Sequence, residues 1–432
     1  MVKFRFLVCE RHAHDFSPQR SSLMAASRRV HYGWVIVGLG FLIIFACIGL
    51  GRYAYTMLLP SMQAGLGLTY DRMGYIGTGN FCGYLLAVLL APRLIRRYRP
   101  RTAISAGIAL ITVSLSGIAL SHGYLPPLFL YFLVGAGTGF ANIPTMALVS
   151  YWFRSTQRGR AAGLMIAGNG AAIMLAGVMV PFINRTYGPS GWRVGWLILA
   201  AVALLVTLLT ACFIRNHPDE MGLEPMGAAL PASSDQLVPR AVHHPGALLL
   251  RLGLLYFAFG ATFMVFGTFI VTTMVRDYGF SEARAGGCWS WVGFCSLFSG
   301  VIFGAVSDRI GRKYGLALVF AVQGSAYLLA GSHPGVTGLT ASLLLYGSAV
   351  FAVPAIMAAA VGDYLGLNRA AASFATVTIF FAAGQTLGPS VAGIVGRATG
   401  SFDAAYLLAG AVCAAAVLLA LLLPKPSHSQ AD

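Results

Sequence analysis

Charge is what this sequence has least of: only 10% of its 432 residues are Asp, Glu, Lys or Arg, and just 13 of them are acidic. A soluble domain carries about 25% charged residues, so the roughly three soluble domains suggested by this length would have too little polar surface to face water. Cysteine is scarce too, at seven with no C-x-x-C pair, which excludes a disulfide scaffold. Cys47, Cys82, Cys212, Cys288, Cys295 and Cys413 sit in or beside apolar runs and read as small apolar fillers. Also missing are G-x-x-x-x-G-K-S/T, H-E-x-x-H and G-x-S-x-G, so none of the enzyme chemistries those motifs carry is expected. Glycine is plentiful at 52 residues but has no triplet period, which removes collagen.

What is present is apolar, 57% of the chain. A membrane helix needs about 20 mostly apolar residues. Twelve runs qualify, near 34–59, 73–92, 103–121, 127–150, 161–183, 194–214, 252–275, 285–306, 315–331, 337–361, 370–395 and 403–423. Most links are short, so the helices must pack as neighbours in one bundle. The expected class is an all-α integral membrane protein with twelve transmembrane helices. One connection differs: 215–246 is rich in Pro, Ser, His and acidic residues and reads as a linker between two six-helix halves. The expected organisation is a tail at 1–33, a half at 34–214, the linker at 215–246, a second half at 247–423 and a tail at 424–432.

The formal charge of +16 fits either a nucleic-acid partner or anchored loops, and position decides. With both termini cytoplasmic, 21 basic residues fall inside and six outside, with Arg52 and Arg251 in or at the edge of spans. That imbalance is the positive-inside pattern, so no nucleic acid is implied. Residues 1–30 hold no apolar core with a cleavage site, so no removable signal peptide is expected. Ser27-Arg28-Arg29 is read as an anchor for the first span, and Met24 offers an alternative start.

The two halves echo each other. Phe140-Ala141-Asn142-Ile143-Pro144-Thr145-Met146 parallels Phe351-Ala352-Val353-Pro354-Ala355-Ile356-Met357, and Gly67 through Gly74 parallels Gly279 through Gly286. Paired repeats around a midplane site are a secondary-transporter architecture. Between spans eight and nine stands Gly304-Ala-Val-Ser-Asp308-Arg309-Ile-Gly311-Arg312-Lys313. This resembles the G-x-x-x-D-R-x-G-R-K loop of the major facilitator superfamily. The resemblance implies that the loop holds the helices of its half together and stabilises one access state. The first-half counterpart departs from it, with Ile95 at the aspartate position and Arg96 and Arg99 aligned with Arg309 and Arg312.

Other stretches resemble the monocarboxylate and oxalate–formate branch. They are His31-Tyr32-Gly33-Trp34-Val35, Trp152-Phe153 followed by Arg158 through Gly163, Gly191-Trp192-Arg193, and His217 through Pro225. Gly168, Gly177 and Pro181 in span five and Gly388-Pro389 in span eleven resemble the superfamily's bending motifs. Close small-residue packing is the other reading of those glycines. Gly135, Gly137 and Gly139 suit helix contact.

Arg52 carries the most information. It lies 18 residues past Trp34, about 27 Å of helix rise, which places it in the outer half of span one. An arginine there costs about 2.5–3.5 kcal/mol on insertion scales. It either meets an anionic partner with its planar fork, or it snorkels or bonds backbone carbonyls. Tyr55, three residues on, is expected on the same face. Asn80, Asn142, Asn169 and Gln385 are polar within spans and each needs a partner, whether a ligand or a neighbouring helix. No acid or histidine lies mid-span, which argues against cation pumping by the usual carboxylate route. Asp71, near the outer end of span two, is the possible exception. One of Trp289 and Trp291 is expected to line the cavity or sit at the outer interface.

The reading that follows is a monomeric transporter of a small organic anion, a mono- or dicarboxylate, working by alternating access. It would sit in the plasma membrane, the inner membrane of a bacterium, with the bilayer as partner and no metal or cofactor. The alternative is an exporter of a neutral or amphipathic compound, a drug or a sugar, with Arg52 structural. A ligand sensor is a third, disfavoured for want of a signalling domain.

Overall fold

The computed structural model describes residues 31–227, 245–365 and 367–424, with side chains at 91–96, 155–156, 245 and 367–372 set aside. Met24, the tails at 1–30 and 425–432, most of the expected linker, and the side chains of Arg93, Arg96 and Arg369 lie outside the described residues. Among the described residues there are helices and one isolated bridge, and no strands.

Eleven helical stretches are long and apolar enough to cross a membrane. One of them, Gln157–Phe213, is 57 residues long and is turned back on itself by the short turn Gly188–Ser190. Twelve crossings result. They are α1 Tyr32–Leu66, α2 Tyr70–Arg97, α3 Pro100–Leu120, α4 Leu125–Trp152, and α5, made of Ser155–Ile166 and Gly168–Tyr187. Then follow α6 Gly191–Phe213, α7 Pro245–Arg276, α8 Glu282–Ile310, α9 Arg312–Gly331, α10 Gly335–Leu365, α11 Leu367–Thr399 and α12 Asp403–Leu421. The ends at Tyr32 and Leu423 share one face, called here the terminal face.

Helix α1 departs from the expected span. It continues past Pro60 to Leu66, where Gly67 closes it in the left-handed conformation at φ 62°. Its middle third, Phe45–Tyr53, is a π-helix. The wider π turn weakens the ladder, and α4 supplies substitutes: Thr138 donates to the Cys47 carbonyl at 2.9 Å and Tyr131 to the Arg52 carbonyl at 3.2 Å. Gly49 within the stretch faces Ala172, where a side chain would crowd its neighbour.

The halves α1–α6 and α7–α12 meet mainly through α2 against α11 and α5 against α8, pairs that exchange under the internal repeat. Backbones approach closely at Gly74, which faces the Pro389 carbonyl, and at Gly177 and Gly286, which face each other's carbonyls. A Cβ at any of these would force the halves apart. Hydrogen bonds across the seam lie at mid-helix or toward the face opposite the termini. Arg397 meets Asp71 at 2.8 Å, Arg276 donates to the Tyr70 hydroxyl at 2.9 Å, and Asn184 donates to Glu282 at 2.7 Å. Thr78 donates to the Thr386 carbonyl at 2.8 Å, and the Thr56 hydroxyl donates to the Gly267 carbonyl. Among the described residues, the hydrogen bonds that join the halves thus lie at mid-helix and on the far side.

At the terminal face the branch motifs, remote in sequence, converge. Tyr32 packs on Trp152 with ring centroids 5.6 Å apart, and Trp34 on Phe153 at 5.9 Å. The segment after α6 folds back over them: Met226 pairs its backbone with Trp152 and Arg154 at 2.9 and 2.8 Å, and Glu224 meets Arg154 at 2.9 Å. The first part of the expected linker is therefore held on the first half.

Candidate substrate site

In the longer α1, Arg52 lies a few residues past the midpoint, in the outer half as expected but close to the centre of the helix. It is only 6% exposed. Its Nε donates to Asn80 Oδ1 at 3.4 Å and its Nη1 to Gln385 Oε1 at 3.5 Å, both long, while Nη2 is buried without a partner. The guanidinium lies over the rings of Phe81 and Tyr84, 4.6 and 5.1 Å from their centroids. Those contacts soften a buried cation but leave its charge unneutralised, for no described acid pairs with it.

The structure thus brings together Arg52, Asn80 and Gln385, joining α1, α2 and α11 across the seam. Asn80 is held at both ends, since its Nδ2 donates to the Tyr131 carbonyl at 3.2 Å. Gln385 is not: its Nε2 is buried and unpaired. Two orphan donors, Arg52 Nη2 and Gln385 Nε2, therefore stand in the same group. Asn142 joins at one remove through a hydrogen bond with the Tyr84 side chain.

Two expected members are placed elsewhere. Tyr55 turns away to α2 and α4, its hydroxyl donating to the Met73 carbonyl at 2.9 Å and its ring 4.8 Å from Tyr131. Asn169 is buried at the start of the second part of α5 with Oδ1 unpaired, and no described hydrogen bond joins it to the Arg52 group. Trp291 is 62% exposed on the outside of the bundle, whereas Trp289 is wholly buried.

The second half supplies what the sequence reading missed. Tyr256, on α7, is buried. It stacks on Phe381 at 4.7 Å, and Phe381 lies 5.7 Å from Phe259 and 5.8 Å from Phe263. Phe381 is one helical turn before Gln385, so it shares that residue's face. Tyr84 was within reach of the sequence, being four residues after Asn80. The aromatic wall was not, because Phe and Tyr in an apolar helix carry no mark of what they face.

The loop motif forms a cluster at the terminal face. Arg312 bridges Asp308 of α8 and Asp363 of α10, the latter at 2.6 Å, and donates to Ser307 at 2.8 Å. Lys313 reaches the Leu423 carbonyl at 3.3 Å. Gly311, at φ 93°, makes the turn that lets Arg312 start α9. Gly304 and Arg309 lie on the last turns of α8. Among the bending residues, Gly168 packs on the Phe41 carbonyl and Gly388 on that of Ala261. Pro181 and Pro389 lie within their helices.

A helical bundle of two six-crossing halves, clasped on one side around a buried polar group, is the architecture of a secondary transporter. The chain belongs to the major facilitator superfamily: residues 44–421 match the family described as uncharacterised MFS-type transporter YbfB. It is 23% identical over 402 residues to the hexuronate transporter of Bacillus subtilis (strain 168), covering 89% of this chain and 94% of that one. It is 23% identical over 428 residues to human monocarboxylate transporter 2, covering 90% and 85%, in keeping with the branch resemblance. A solved structure of a bacterial homologue of the human lysosomal transporter Spinster, inward-facing and unoccupied, shares the fold. Its TM-score is 0.68 at 16% identity, over 91% of this chain and 95% of that one. The protein is accordingly a multi-pass membrane transporter and not an enzyme.

Proposed function

We propose that the protein moves a small organic anion, a mono- or dicarboxylate, across the membrane by alternating access, with Arg52 as the carboxylate clamp. One observation carries this reading: a central, buried guanidinium with no acidic partner, whose Nη2 and the neighbouring Gln385 Nε2 both lack acceptors. Two adjacent donors fit the two oxygens of one carboxylate, and charge-assisted bonds of that kind are about twice as strong as neutral ones. Were Arg52 purely structural, as an exporter of neutral compounds would have it, its fork would be expected to end on backbone carbonyls. It ends instead on two long side-chain contacts and an orphan. The two relatives named for hexuronate and monocarboxylate transport are consistent with a carboxylate.

Gln385 comes from the second half and Arg52 from the first, so a carboxylate held by both would tie the halves together at the midplane. Its arrival would then favour closure from the terminal face and loosening of the far clasp. Gly177, Pro181, Gly388 and Pro389 lie on the helices that must reshape during that motion, and the Asp308–Arg312–Asp363 cluster keeps the second half rigid while it moves. The excess of basic residues at the terminal face supports a cytoplasmic assignment for it, in a bacterial inner membrane, with the chain acting as a monomer. Counterflow in proteoliposomes with labelled carboxylates, sugars and cationic drugs tests the reading. Carboxylate exchange that Arg52→Gln abolishes is the expected result; exchange retained by that variant with unchanged KM overturns it.

A further inference from the structure

The proposed clamp accounts for one end of a substrate and leaves open what lies against the rest of it. Resting on that reading, we infer that the substrate is an aryl or phenylalkyl carboxylate, a single carboxylate on an aromatic body, and not a polyhydroxylated acid.

Beside Gln385, which accepts from the guanidinium, stands an aromatic wall. Tyr256, Phe259, Phe263 and Phe381 lie with ring centroids 4.6 to 6.1 Å apart in successive contacts. These are the separations at which offset ring pairs attract. Phe381 is only partly buried and sits one turn from Gln385, so the stack begins next to the clamp. On the opposite side Phe81 and Tyr84 flank Arg52. A body extending from a carboxylate on Arg52 therefore meets rings on both sides.

The polar inventory points the same way. Each hydroxyl of a sugar acid needs a partner once water is removed, because an unmade buried hydrogen bond is costly. Near Arg52 the polar side chains are already engaged: Asn80 with Arg52 and the Tyr131 carbonyl, and Tyr84 with Asn142. Thr262, three residues after Phe259 on the wall's own helix, donates to Ala258 and Phe259 carbonyls at 2.9 and 3.3 Å. The unmet donors beside Asn80, Arg52 Nη2 and Gln385 Nε2, are matched by one carboxylate.

Isothermal titration of the full chain in lipid nanodiscs tests this with 3-phenylpropionate, L-lactate and D-glucuronate, which share one carboxylate and differ in the body. The expected result is 3-phenylpropionate binding at least about tenfold more tightly than either of the others, the scale of one buried ring. Phe381→Leu keeps most of the volume and removes the ring face. It should weaken 3-phenylpropionate about fivefold with Tm unchanged, and unchanged affinity in that variant overturns the inference. Phe381→Tyr, which keeps the ring, should bind as wild type does. Glucuronate or lactate binding as tightly as 3-phenylpropionate, and lost in Arg52→Gln, overturns the aromatic class while leaving the clamp standing. Binding of 3-phenylpropionate that survives Arg52→Gln overturns the clamp and this inference together, as does failure of all three to bind.

Discussion

Asp71 of α2 and Arg397 of α11 meet at 2.8 Å across the seam between the halves, with the Asp71 side chain only 10% exposed. No other described acidic side chain is as deeply buried at that seam, and its bond must break if the far side is to open. Asp71→Asn should shift the resting population toward opening at the far face. Cysteines introduced near Tyr75 should then become more reactive to an impermeant maleimide, and the double exchange Asp71→Arg with Arg397→Asp should restore the wild-type rate. Unchanged labelling would show that the pair carries no part of the clasp.

Arg52→Lys is expected to fail almost as fully as Arg52→Gln. A lysine ammonium keeps the charge but lacks the planar fork that can serve Asn80, Gln385 and a carboxylate at once. Losing one charge-assisted bond costs about 1.5–3 kcal/mol, which is roughly 10- to 150-fold in affinity. The check is Kd for the best carboxylate found, and a change of less than threefold would argue for a purely coulombic role.

Asp308→Asn and Asp363→Asn act on one guanidinium and should not add. Both carboxylates are well exposed, at 61% and 39% of the side chain, so each exchange should cost about 1 kcal/mol or less. The double variant should lose less than the sum in a Tm comparison. Transport Vmax is expected to fall in both single variants with KM held, since the cluster lies far from the clamp.

Asp277, in the loop after α7, has its carboxyl raised above the ordinary range, first by partial burial and then by Asp403; His333 and Arg276 oppose this. A raised native value means the folded state binds this proton more tightly than the unfolded chain. Its contribution to stability is therefore full below the usual carboxylate value of about 3.9 and is lost as pH rises through the raised native value. Asp277→Asn should flatten the dependence of Tm on pH in that window and raise Tm at neutral pH. Tm profiles of wild type and variant that run parallel from pH 4 to 7 would sink the assignment.

The crossings and the central polar group were legible because membrane helices are written in composition: a polar residue inside an apolar run stands out, and Arg52, Asn80 and Gln385 did. Tyr55 was misplaced for a local reason. The spacing rule behind it assumes an α-helix, whereas Arg52 lies in a π stretch whose wider turn rotates the residues that follow. Tyr256 and Phe381 were invisible for the opposite reason, because a ring facing a cavity and a ring facing lipid obey the same pattern. The pairing of Asp71 with Arg397, 326 positions apart, is a product of the two halves docking and leaves no local trace.

The π stretch in α1 has one more consequence. It accommodates a residue more than an α-helix of the same height, so Tyr32–Ile44 and Ala54–Leu66 are out of phase along one rod. Deleting a single residue between Phe45 and Gly51 would remove the mismatch and let the stretch close as a regular α-helix of about the same height. Ala54–Leu66 would keep its place, but the wide turn that presents Arg52 toward α11 would be lost. The expected phenotype is an inserted, folded protein that no longer transports.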